Sequence, residues 1–218
     1  FSLGMVFVFG LGGLTGLYLG AATPDIYLHD TMFVVGHFHF TMAAASFMAS
    51  IAGLYFWYPK MFGRMMNTTL GKIHFWFSVV GITAVFTGQL LVGYAGQNRR
   101  LWNPYAYDIF KPLHSLNQYT SYFAFILFFA QAIFIWNFLS SMWIGKKAEA
   151  NPWQVGTLEW GIASPPPVHN YDAIPVVHRG PHELSNPELV RKLGRDWVGQ
   201  AEVVADEPGA VRTAQGAT

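Results

Sequence analysis

TMFVVGHFHFTMAAASFMASIAGLYFWYP, residues 31–59, contains no aspartate, glutamate, lysine or arginine. A helix crosses the hydrocarbon core of a bilayer with about 20 apolar residues, so this run is long enough by itself. Three more uncharged stretches accompany it, at residues 1–24, 73–98 and 112–145. Their apolar residues run continuously, as over residues 123–135, rather than alternating with the period of two that a transmembrane β-strand requires. Backbone groups in lipid must be satisfied within each segment, which leaves helices. Four buried helices of a large soluble protein fit such a succession of charge-free runs far less well.

Composition agrees. The 218 residues are 52% hydrophobic, 17% aromatic and 11% charged, where a soluble domain carries about a quarter charged residues. Residues 1–145 hold nine charged side chains (Asp25, Asp30, Lys60, Arg64, Lys72, Arg99, Arg100, Asp108 and Lys111), and the other sixteen follow. Net charge is +1, and no basic stripe marks a nucleic-acid binder. Cysteine is absent, which excludes disulfides, zinc fingers, iron–sulfur clusters and thiol nucleophiles. Soft metals must then be held by histidine or methionine. The expected fold is an all-α integral membrane protein with helices at about 1–22, 31–58, 72–95 and 115–145, followed by an irregular, polar, Pro-rich tail over 146–218.

Loop charge orients the helices. Lys60, Arg64 and Lys72 in the 59–72 connection, and Lys146 and Lys147 after the fourth helix, place those ends in the cytoplasm. The 23–30 connection, with Asp25 and Asp30, then lies outside, together with 96–111. That second outer loop carries Arg99, Arg100 and Lys111 against Asp108, which breaks the positive-inside bias and suggests a bound anion. In the tail, Ser164-Pro165-Pro166-Pro167 favours polyproline structure. Residues 183–196 read as a short helix with Ser185 as N-cap, Pro187 in the first turn and Glu188 at N3. The chain after Asp206 reads as disordered. Phe1 opens inside an apolar run with no basic flank, so the chain is expected to be the C-terminal piece of something longer.

The chemistry is concentrated in Val35-Gly36-His37-Phe38-His39-Phe40. Ionisable residues at membrane depth are costly and usually functional. Residues i and i+2 point about 200° apart on a helix, since each residue turns about 100°. His37 and His39 therefore cannot chelate one metal, which needs i,i+3 or i,i+4 spacing. They can hold two separate groups on opposite faces, and imidazole is a common axial ligand of haem iron. Two histidines bonded to neighbouring helices, or an ion path through a transporter, are the other readings. Just upstream, His29 and Asp30 suit a divalent ion completed by water and a partner chain; an N-cap role for Asp30 or Thr31 is the plainer reading. Arg99 and Arg100 match carboxylates in fork geometry, haem propionates among them.

These residues carry a resemblance. Gly12-Gly13-Leu14-Thr15-Gly16, His29-Asp30-Thr31, His37-Phe38-His39, Trp57-Tyr58-Pro59, Lys72-Ile73-His74-Phe75 and Arg99-Arg100 resemble, in order and spacing, the C-terminal part of subunit I of the haem–copper oxidases, most closely cytochrome c oxidase of the aa3 type. The match spans residues 1–145 and corresponds to the last four of the family's twelve helices. Asn151-Pro152-Trp153, Thr157-Leu158-Glu159-Trp160 and Ser164-Pro165-Pro166-Pro167 resemble bacterial members. Two departures stand out: Gly96-Gln97-Asn98 replaces the usual Gly-Met-Pro, and Gly88-Gln89-Leu90 replaces Pro-Gln-His.

The resemblance implies that His37 is the proximal ligand of the high-spin haem, where oxygen is reduced opposite a copper, and that His39 is an axial ligand of the low-spin haem. It implies that His29 and Asp30 bind Mg²⁺ or Mn²⁺, that Arg99 and Arg100 hold propionates, and that Asp25 lies near them. Haem a is the expected haem. The copper ligands, the second low-spin ligand and the proton-channel residues are expected outside this chain. The implied partners are the rest of subunit I, subunit II with its copper centre, subunit III, cytochrome c as donor and membrane lipid, in a bacterial plasma membrane with the C-terminus cytoplasmic. Quinol oxidases and nitric oxide reductases are the alternatives within the superfamily; His29-Asp30-Thr31 favours the cytochrome c branch.

Overall fold

Pro24 ends the first span. In the computed structural model, which describes residues 1–171, 173–180 and 187–203, α1 covers Ser2–Gly20 and stops at Ala21 in extended conformation. A helix continued to Pro24 would lose one hydrogen bond and drive the ring against the carbonyl of Gly20. Instead Pro24 and Asp25 open a new short helix, α2, over Ala22–Leu28. The connection read from sequence as a plain loop is thus largely helical, because proline is tolerated in a first turn.

The second span is built from three pieces. α3 (Met32–Phe38) is capped by Thr31, whose hydroxyl accepts from Phe33 N at 3.1 Å and donates to Leu28 O at 2.6 Å. Asp30 precedes it with a left-handed φ of 59°, so Thr31 is the cap. A π-helical turn over His39–Ala44 follows, then α4 over Ala45–Phe62. α4 continues one turn beyond Pro59 and ends at Gly63, whose φ of 65° supplies a left-handed terminus.

α5 (Thr68–Tyr94) begins a turn earlier than its apolar run, because the Asn67 side chain caps Thr69 N and Leu70 N at 2.9 and 3.1 Å. It is the most enclosed of the four spans and packs on both α3 and α6 (His114–Ile144). Close approach to α3 requires Gly93: a Cβ there would lie 1.8 Å from Phe33 N. Gly36 returns the contact, with an added Cβ 2.9 Å from Phe86 O. Small residues let membrane helices meet backbone to backbone in this way. α6 is entered through 3₁₀ turns at Pro104–Ala106 and Asp108–Leu113. It leaves Tyr122, Phe125, Phe128, Phe129 and Trp136 exposed, a surface stable only in lipid or against further helices.

Four helices are long and apolar enough to cross a membrane, and no strand occurs among the described residues. The chain divides into two units. One comprises Phe1–Phe56 and Met66–Ile144, centred on Val8, Phe40, Met48 and Ile82. The other comprises Trp57–Met65 and the described residues from Gly145 on. In it, Lys60 Nζ donates to the carbonyls of Ile162, Ala163 and Ala150 at 2.7, 3.1 and 3.3 Å and lies 4.8 Å from the centroid of the buried Trp160 ring. Arg64 donates to Gly145 O at 2.7 Å. Both residues, taken from sequence only as topology signals, are donors that satisfy tail carbonyls. The short helix expected over 183–196 is observed as α7, Pro187–Leu193; Ser185 and the residues after Asp206 lie outside the described ones.

Candidate functional site

His37 and His39 diverge as their spacing requires. His37 faces α1: its Nδ1 is 2.9 Å from Gly12 O and 2.9 Å from Thr15 Oγ1, while Thr15 Oγ1 donates to Gly12 O at 2.7 Å. The carbonyl accepts, so Nδ1 carries the ring proton and Nε2 is left with its lone pair. Gly16 makes room for the ring, since a Cβ there would stand 3.0 Å from His37 Cε1. His39 faces α5. Its Nδ1 donates to Val35 O at 2.8 Å, and its ring lies against Phe86 with centroids 5.0 Å apart. Two imidazoles each tied at Nδ1 to a carbonyl and bare at Nε2 have the arrangement typical of metal-ligating histidine. Both therefore fit an axial position on iron.

The other histidine inside a span behaves differently. His74 is fully buried, with Nε2 3.2 Å from Gln131 Oε1 and Nδ1 3.4 Å from the Tyr55 hydroxyl. Both nitrogens are engaged, so it offers no ligand atom. It belongs to a polar chain across α4, α5 and α6: Gln131 Nε2 reaches Ser78 Oγ at 3.3 Å, and Asn137 Nδ2 reaches Tyr55 at 3.5 Å and Asn67 O at 3.0 Å. Asn67 N donates back to Asn137 Oδ1 at 3.0 Å. Sequence reading missed this network; its signal was the polar residues Gln131 and Asn137 within an otherwise apolar run.

At the loop end, the two connections join. Arg99 N donates to Asp30 O at 2.9 Å and Met32 N to Gln97 O at 2.8 Å, flanking a bridge between Thr31 and Asn98. The Arg99 guanidinium also pairs with Asp30 Oδ1, through Nε at 2.9 Å and through Nη2. The Arg99 hydrogen bond and charge hold the Asp30 carboxyl below the ordinary carboxylate range, with smaller help from His29 and Arg100. His29 is exposed and its Nδ1 lies 2.8 Å from Asp25 O. Arg100 sits at a left-handed φ of 64°. An open cleft of about 570 Å³ is lined by Asp30, Asn98, Arg99, Arg100, Tyr107 and Phe110. The structure thus brings Asp30, Arg99 and Arg100 into one cleft and places His29 and Asp25 beside each other through a backbone contact. Among the described residues no three histidine or carboxylate groups form a metal cluster, so His29 and Asp30 would be a partial ligand set.

Residues 1–132 match the family model described as cytochrome c and quinol oxidase polypeptide I. The chain belongs to that family and is a multi-pass membrane protein. It is 40% identical over 190 residues to an alternative cytochrome c oxidase subunit 1 of Bradyrhizobium diazoefficiens, covering 86% of this chain and 32% of the relative. It is 40% identical over 207 residues to cytochrome c oxidase subunit 1 of Synechocystis, covering 91% of this chain and 36% of the relative. The chain therefore spans about a third of the length of these relatives. A solved haem–copper terminal oxidase dimer shares the fold, with a TM-score of 0.59 at 20% identity, over 67% of this chain and 27% of that one.

Proposed function

We propose that this chain supplies the C-terminal part, the last four of twelve helices, of the catalytic subunit of a terminal respiratory oxidase. In it His39 would hold a low-spin haem and His37 a high-spin haem facing copper, groups that would supply electron transfer and the reduction of dioxygen to water, with coupled proton pumping. The observation that carries this is the pair of Nδ1-anchored imidazoles, two residues apart and facing different helices. Bound haem supplies one-electron and dioxygen chemistry. The chain's own residues do the rest. Gly12 and Thr15 hold the His37 ring at Nδ1, Val35 holds His39, and the Phe38 backbone joins the two ligands. Arg99 and Arg100 offer guanidinium groups to propionates in the cleft that Asp30 shares. Copper ligands come from outside this chain.

The finer assignments follow the same reading: haem a, a Mg²⁺ or Mn²⁺ ion at His29 and Asp30, Asp25 near the propionates, and a complex with the rest of subunit I, a copper-bearing subunit II, subunit III and cytochrome c. The membrane is a bacterial plasma membrane with the tail cytoplasmic. With the family established, the transporter reading of the histidines falls away; a quinol oxidase remains the second reading, because the family includes quinol-oxidising members. The test is spectroscopic, on the assembled complex. His39→Ala should remove the six-coordinate low-spin signal and spare carbon monoxide binding. His37→Ala should disturb the carbon monoxide-binding haem and spare the low-spin one. Loss of the same species in both variants sinks the two-haem assignment.

A further inference from the structure

The loop that presents Arg99 and Arg100 is attached to three helices through one residue, Gln97. Its N–H donates to Val92 O at the end of α5 at 3.0 Å, and its carbonyl accepts from Met32 N at the start of α3 at 2.8 Å. Its side-chain Oε1 accepts from Asn117 Nδ2 on α6 at 2.8 Å. Gln97 is 6% exposed. The second of these attachments and the bond from Arg99 N to Asp30 O flank the bridge between Thr31 and Asn98. The bond to Asn117 adds a side-chain tie from the loop to α6. A residue such as Arg100, held at φ 64°, persists in that conformation only where its surroundings over-determine it.

We propose that Gln97, through its hydrogen bond with Asn117, is a positioning residue that fixes Arg99 and Arg100 toward the carboxylates they bind. The inference rests on the oxidase reading, in which those carboxylates are haem propionates. A guanidinium held at a haem edge favours the reduced, less positive iron, so arginines that drift lower the midpoint potential.

The test is optical redox titration of the haems in membranes containing the complete oxidase. Gln97→Met keeps the length and approximate volume of the side chain and removes the amide, with the oxygen that accepts from Asn117; Asn117→Leu removes the donor from the other helix. Each should lower one haem midpoint, with haem content and α-band position at wild type. The double variant should shift no further than either single one, because the bond can be lost once. In an Arg100→Lys background, the Gln97→Met shift should shrink. Wild-type midpoints in both Gln97→Met and Asn117→Leu, with Arg99→Lys and Arg100→Lys shifted, overturn the positioning role and leave the oxidase reading standing. Silent arginine variants overturn the propionate reading beneath it. Fully additive shifts, or loss of haem with unmoved midpoints in what remains, overturn the coupling between the two residues.

Discussion

His37, His39 and His74 share a side chain and differ only in what holds each ring. In His37 and His39 one nitrogen meets a carbonyl and the other meets no partner among the described residues, an arrangement that fits a metal ligand; in His74 both are engaged, and it is a structural hub. The same logic bears on Asp30. Its carboxyl, ionised at neutral pH in any case, stays ionised further into the acid range because Arg99 lowers its pKa. The folded form thus gains from the pair above the ordinary carboxylate pKa of about 3.9, and the gain is lost only as pH falls through the lowered value. An ionised oxygen beside His29 suits Mg²⁺ or Mn²⁺, which need oxygen-rich ligation and keep waters. Cells grown on manganese should yield an oxidase with a bound-manganese EPR signal that Asp30→Asn weakens. An unchanged signal rejects Asp30 as a ligand.

Among the elements, the second span shows what periodicity leaves out. Its hydropathy is that of one straight helix, yet it contains a π-helical turn that begins at His39 itself. Such turns recur at functional sites, and here the turn packs Phe40 and Thr41 onto the bare backbone at Gly12. α5 shows the complementary case. Its glycines read as ordinary small residues, but Gly93 allows the Phe33 backbone to approach to a distance that a methyl group would fill. Gly93→Ala should therefore push α3 from α5, at a cost of roughly 1–3 kcal/mol for overpacking. The expected result is a lower thermal midpoint of the assembled complex and a disturbed haem spectrum, since α3 carries His37 and leads directly into the turn that carries His39. Wild-type stability in that variant would show that the contact opens freely.

For the molecule as a whole, the exposed aromatic faces of α6 and the ligand inventory point the same way. One imidazole of the 31–59 span serves each proposed iron, and a bis-histidine iron needs a second axial ligand besides His39. His114 lies in edge contact with Tyr105, and His74 is fully engaged. The proposed copper site requires further imidazoles facing His37, and no metal cluster exists among the described residues. Residues 1–218 expressed alone with haem should give no oxygen reduction and no stable bis-histidine spectrum. Normal haem content with oxygen reduction in that piece would defeat the division of ligands between this chain and the rest of the subunit.

Hydropathy by itself determined the four spans, because a charge-free run beyond about 20 residues has one stable conformation in lipid. Spacing by itself determined that His37 and His39 face different neighbours, because 100° per residue is a property of the helix and not of its surroundings. Caps and glycine termini were readable only in part: Pro24 and Asn67 act locally, while the π turn has no signature in residue order. Which nitrogen of His37 is free, that His74 is engaged at both, that Arg99 turns to Asp30, that Gln97 reaches Asn117, and that Lys60 gathers tail carbonyls 90 or more positions away were decided by tertiary structure alone. These are contacts between residues far apart in sequence, and only the packing of one element on another brings their polar atoms within hydrogen-bond range.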